Sequence, residues 1–125
     1  MRIGIICHPT YGGSGVMATE LGNFLGRQGH SIHVISNALP VRLDQLNGNI
    51  NFHEVMVDAY PLFQYQPYEL ALASTIVEIV RKEQLEILHV HYAIPHAYAA
   101  YMAREILKDQ SIFIPVITTL HGTDI

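Results

Sequence analysis

At 125 residues the chain is one domain by size, long enough to bury a true core. Its residues are 50% hydrophobic and 14% charged, with a mean hydropathy of +0.21, a composition that suits strands buried on both faces or a chain packed against more protein. A net charge of −4, and seven Lys and Arg that form no run, argue against a nucleic-acid partner, and the single cysteine excludes an internal disulfide. The start enters an apolar run almost at once and reaches Pro9 too soon for a signal-peptide core. No apolar run approaches the length of a membrane span, so a cytoplasmic protein with no membrane partner is expected.

Ile3-Gly4-Ile5-Ile6-Cys7 reads as a short buried strand, over about 2–7, with Cys7 a small buried thiol at its end. Tyr11-Gly12-Gly13-Ser14-Gly15-Val16 is a glycine-rich turn, and a helix follows over about 14–28. Ser14 is its expected N-cap, and Gly29 is placed just past its end. Met17, Leu21, Phe24 and Leu25 recur at helical spacing and are the expected inward face. A second strand covers 31–36, a loop 37–49, and an alternating, half-covered strand about 50–55, near the sheet edge. The prolines and tyrosines of 58–68 read as an ordered aromatic loop. A second helix, about 68–82, turns Leu72, Ile76, Ile79 and Val80 inward. Ile87-Leu88-His89-Val90-His91 is the fourth strand, and Pro95 is the expected first residue of a third helix over about 95–108. That helix would bury Ala99, Met102, Ala103, Ile106 and Leu107. Pro115 to Leu120 forms a fifth, buried strand, and the polar turn His121-Gly122-Thr123-Asp124 closes the sequence.

Alternating strands and helices predict an α/β, Rossmann-like parallel sheet with helices on both faces. Ligands of such sheets sit outside the carboxyl ends of the strands, so the residues after each strand are the site candidates. They are His8, Pro9 and the 12–15 turn after strand one, Ser36 and Asn37 after strand two, His91, Tyr92 and His96 after strand four, and Thr119, His121, Thr123 and Asp124 after strand five. Unpaired amides at a helix start, with the helix dipole behind them, suit anionic oxygen, and glycines let that backbone approach a ligand. The Gly12–Gly15 turn is therefore expected to face nucleotide phosphates. His121, beside Gly122 and between two threonine hydroxyls, is the best candidate for contact with a sugar or phosphate.

Two other chemistries are weaker. Gly13-x-Gly15-x-x-Ala18 satisfies a dinucleotide fingerprint, but Ser36 and Asn37 stand where an acid should hold the ribose. No P-loop pattern occurs. His89, His91 and His96 could suggest a metal, but no cysteine or carboxylate pair completes a set nearby. His30, His33 and His53 read as surface or edge residues without chemistry.

Gly12-Gly13-Ser14-Gly15, His89-Val90-His91-Tyr92-Ala93-Ile94-Pro95-His96 and Thr118-Thr119-Leu120-His121-Gly122-Thr123-Asp124 together resemble the amino-terminal domain of retaining glycosyltransferases of family 4. With Phe63-Gln64-Tyr65-x-Pro67-Tyr68 added, the sequence is similar to members that transfer N-acetylglucosamine from UDP-N-acetylglucosamine to L-malate, the first step of bacillithiol synthesis. The resemblance covers essentially the whole chain and implies the amino-terminal half of a GT-B fold. The facing domain, which grips the nucleotide sugar through a lysine, an arginine and acidic residues, is absent, and residues 1–125 are expected to be an inactive fragment. It further implies that Gly13, Ser14 and Gly15 lie against the diphosphate or malate. His121 would meet the transferred sugar near its reacting carbon, and Tyr92 and Thr119 would help hold the malate carboxylates; Asp124 is carried among the substrate-binding residues. No metal or other cofactor is implied. A malate dianion calls for basic groups, and Arg42 is the only arginine in a cleft loop, so the remaining charge is expected from the absent domain. A family member with another acceptor, a non-catalytic nucleotide-binding module and a homo-oligomer remain open alternatives.

Overall fold

A computed structural model describes residues 1–10, 12–57 and 67–124. The chain runs β1 (Arg2–Ile6), α1 (Gly13–Arg27), β2 (Ser31–Ser36), β3 (Ile50–Glu54), α2 (Tyr68–Glu83), β4 (Ile87–His91), a short π-type turn (Ala93–Ala97), α3 (Tyr98–Asp109) and β5 (Val116–Thr119). The five strands form one parallel sheet in the order β3-β2-β1-β4-β5. Ladder pairs such as Ile5 with Val34 and with His89 set β1 at the centre. The alternating side chains of the strands feed two cores. Ile3, Ile5, Cys7, Ile32 and Val34 pack with Ala18 of α1 on one face. Ile6, Ile35, Leu88 and Val90 pack under α2 and α3 on the other. The expected α/β sheet with helices on both faces is therefore present.

Helix α1 turns a different face inward from the one its apolar spacing predicts. Ser14, Gly15, Ala18, Thr19, Gly22, Asn23 and Gly26 are buried, whereas Met17 and Phe24 are exposed. Close approach decides this. A Cβ at Gly22 would lie 3.2 Å from Ile5 Cδ1, and one at Gly26 2.8 Å from Ile50 Cγ1, so the glycine stripe seats the helix on the strands. Asn23 adds a polar anchor: its Nδ2 donates to Arg42 O and its Oδ1 accepts from Asp44 N, pinning the loop after β2 to the helix.

Other expectations shift locally. The N-cap of α1 is Gly12 rather than Ser14, which lies buried within the first turn. Helix α3 begins at Tyr98, because Pro95, after a cis bond from Ile94, sits inside the π-type turn. Ala99, Ala103 and Leu107 are inward as expected, but Ile106 is exposed and Ala100 takes an inward place. The fifth strand is not buried: it is the edge beyond β4, with Ile117 half exposed. His33 is not a surface residue but lies buried on the face of β2. The expected aromatic loop, apart from Pro67 and Tyr68 at the start of α2, lies outside the described residues. Among the described residues no helix is long and apolar enough to cross a membrane.

Candidate substrate site at the carboxyl rim

The strand order reverses between β1 and β4, and the crevice outside such a reversal is where open α/β sheets hold ligands. The segments after β1, β4 and β5 meet there. After β1 the backbone passes His8 and Thr10 and turns into α1. Gly13 has φ +58°, a left-handed conformation that glycine adopts freely. A Cβ on Gly15 would lie 2.5 Å from His8 O and 2.8 Å from Thr10 Oγ1, so the turn closes on the helix only because that position is bare. Gly12, extended at φ −131° and ψ 176°, provides no side-chain cap, and no acidic residue stands in the first turn. Among the described residues no side chain caps the first amides of α1, and the helix dipole adds partial positive charge there.

After β4 and β5, a network of imidazoles and hydroxyls ties the two neighbouring loops together. His91 Nδ1 and His121 Nε2 share a hydrogen bond of 3.0 Å, and His89 Nε2 and Thr119 Oγ1 one of 2.7 Å. Tyr92, at φ 87°, brings its hydroxyl to 2.5 Å from Thr123 Oγ1. Asp124 is the brace. Its Oδ1 accepts from His121 N and its Oδ2 from Ala93 N, both at 2.8 Å. Desolvation opposes its ionisation, but the amides of His121, Ala93 and Asp124 itself outweigh it and hold the carboxyl below its ordinary value.

The β1 side joins this network through rings. His8 meets Tyr92 edge-on at 5.3 Å between centroids and His96 at 4.2 Å, and Tyr92 stacks on His121 at 6.4 Å. His96 is almost wholly buried, and its Nδ1–H donates to His91 O. Burial pushes His91 and His96 down to about 4, with neighbouring histidines adding to the effect. His91 Nε2 is a buried ring nitrogen with no partner among the described residues. The Cys7 thiol, pushed up to about 12 by burial, is inert beside this chemistry.

The structure therefore brings Gly13, Ser14, Gly15, Tyr92, Thr119, His121 and Asp124 to one rim and separates them by what is already engaged. Thr119 Oγ1 is held by His89, and both Asp124 oxygens by backbone amides, while the start of α1 carries no side-chain cap among the described residues. Arg42 pairs with Glu20 at 3.7 Å, with both side chains exposed. The bracing role of Asp124 has no signal in the sequence, because its two amide partners come from different loops.

This architecture defines a class: a Rossmann-like α/β domain with an uncapped helix start and a histidine-rich rim at its strand reversal. The profile of Glycosyltransferase Family 4 matches residues 11–125, and the chain belongs to that family. It is 54% identical over all 125 residues to an N-acetyl-alpha-D-glucosaminyl L-malate synthase of Bacillus anthracis, and it spans 32% of that protein's length. Among solved structures, a glycosyltransferase from Rickettsia africae superposes with a TM-score of 0.62 at 23% identity, over 97% of this chain and 30% of that one. The C-terminal domain of a Pyrococcus furiosus hydrogenase superposes with a TM-score of 0.54 at 14% identity, over 93% of this chain and 90% of that one. At such identities these two share the fold alone.

Proposed function

We propose that this chain is the acceptor-side domain of a retaining glycosyltransferase that moves N-acetylglucosamine from UDP-N-acetylglucosamine to L-malate. The observation that carries the reading is the placement of the uncapped α1 start and His121 on one rim, linked through His8 and Tyr92. Identity of 54% to the malate synthase supports the particular donor and acceptor. The donor-side domain, supplying basic groups for the diphosphate, is the partner across the cleft, and residues 1–125 alone are inactive.

In this reading the bond from the sugar's anomeric carbon to UDP breaks as the malate hydroxyl oxygen bonds to that carbon from the same face. The hydroxyl proton passes to the departing phosphate oxygen. Negative charge grows on UDP, and the amides at Gly13, Ser14 and Gly15 are fixed donors that meet it without reorganising. His121 has Nε2 committed to His91, which leaves Nδ1 for a sugar or malate hydroxyl. Tyr92 and Thr119 border the acceptor, while Asp124 serves the site by holding the loop of His121. The chain's own groups supply orientation and electrostatic stabilisation, with no carboxylate nucleophile.

A turnover assay with UDP-N-acetylglucosamine tests the acceptor. Adding the donor-side domain to this chain, as one polypeptide, should give malate-dependent release of UDP. Transfer to other hydroxy acids but not to malate would overturn the acceptor assignment, and robust turnover by residues 1–125 alone would overturn the division of labour.

A further inference from the structure

On the α2 side of the sheet, at its β2–β3 edge, three metal-ligating side chains converge. His33 is the third residue of β2, and His53 belongs to the edge strand β3, whose register sets it beside Ile35. Glu83 is the last residue of α2. One ligand atom from each lies within 4.8 Å of the others. His33 Nδ1 and His53 Nε2 are 2.8 Å apart in a hydrogen bond, with the ring planes within 16° of parallel. His33 Nε2 in turn meets Ser31 Oγ at 3.2 Å.

From this arrangement we propose that His33 Nδ1, His53 Nε2 and a Glu83 carboxylate oxygen form a binding site for zinc or a similar borderline divalent cation, unrelated to sugar transfer.

The donor set is the first support. Two imidazoles and one carboxylate suit zinc, with a fourth position left to water. Zinc bonds of about 2.0–2.2 Å place tetrahedral ligand atoms roughly 3.3 Å apart, a separation between the 2.8 Å of the two nitrogens and the 4.8 Å within which all three ligand atoms lie. Rigidity is the second support, because the ligands stand on two paired strands and a packed helix rather than on loops. The third is the outer contact, since Ser31 Oγ can orient the ring of His33 through its far nitrogen, as outer-shell partners of ligating histidines do. Burial also disfavours protonation of both imidazoles. Glu83 opposes this at both rings, and Lys82 and Glu78 act on His53 in opposite directions. Neutral rings are what a metal requires. Binding replaces the proton shared between the rings: His33 then carries its proton on Nε2 toward Ser31, and His53 carries its own on Nδ1. No net proton is released.

The test is calorimetric titration of the chelator-stripped protein with zinc at pH 7.5, paired with cobalt(II) loading followed by visible absorption. One zinc per chain and the d–d bands of a low-symmetry cobalt site are expected. His53→Ala and Glu83→Gln, each at an accessible edge and checked for folding by circular dichroism, should each weaken binding at least tenfold, whereas His89→Ala, within β4, should leave it unchanged. Absence of stoichiometric uptake overturns the site, as does uptake that survives both substitutions or that is lost with His89→Ala. None of these outcomes bears on whether the rim transfers a sugar.

Discussion

His91 Nδ1 and His121 Nε2 lie 3.0 Å apart across β4 and the loop after β5, and this bond sets which nitrogen His121 can offer. His91 is buried and held near-permanently neutral, and its backbone oxygen is fixed by His96 Nδ1–H, so its ring is a stiff support. On the proposed function, replacing His121 by Ala in this chain joined to a donor-side domain should lower kcat by about 10²-fold, the usual cost of one preorganised polar contact at a reacting centre. His91→Leu should lower kcat by about tenfold with little change in KM, because it unfixes the orientation of His121 without removing a ligand contact. Steady-state kinetics on both variants checks this, and equal losses in kcat and KM would show that His91 touches substrate.

Gly13 and Gly15 predict opposite modes of failure. An alanine at Gly15 drives its Cβ to within 2.5 Å of backbone oxygen His8 O, which cannot swing away, and should cost about 1–3 kcal/mol as the turn is displaced. An alanine at Gly13 meets nothing within 4 Å and pays only for φ +58°, about 1–2 kcal/mol. Thermal melts of the chain compare the two. UDP affinity should fall more for Gly15→Ala, since there the amides themselves move.

Asp124 accepts backbone hydrogen bonds from two loops, and its removal should loosen both together. Asp124→Ala leaves His121 N and Ala93 N without their acceptor, so both loops lose the same tether. Amide hydrogen exchange should accelerate at both positions in Asp124→Ala and at neither in Thr123→Ala, which disturbs only the hydroxyl contact with Tyr92.

Much of this was legible in the residues. Strand and helix alternation gave the sheet, and the positions following each strand gave the rim, because in a parallel sheet chain direction alone decides which end a residue occupies. The inward face of α1 was not legible. Met17 and Phe24 have the right period, but a stripe of glycines lets the helix sit closer to the strands than any apolar side chain would, and the larger residues turn outward. Pro95 had the chemistry of a helix start, yet the rim needs His96 buried against His91, and the turn that achieves this delays α3 to Tyr98. The pairing of His33 with His53 was hidden because it depends on the register of β2 with β3, which no local pattern specifies.

The last prediction concerns acid. His91 and His96 are pushed down to about 4 mainly by burial, below the ordinary histidine value near 6.5. A lowered folded-state value means that the unfolded chain takes up these protons first. Stability is therefore complete above pH 6.5, declines as pH falls from there toward 4, and falls no further on their account below it. The loss should be on the order of 2 kcal/mol for each group, after allowance for water that reaches a rim site. Replacing His96 by Gln removes one titrating ring and should flatten the fall in Tm between pH 6.5 and 4, while lowering Tm at pH 7.5 through the lost contact with His91 O. A variant whose Tm declines with pH as steeply as the parent's would show that the acid sensitivity comes from other groups.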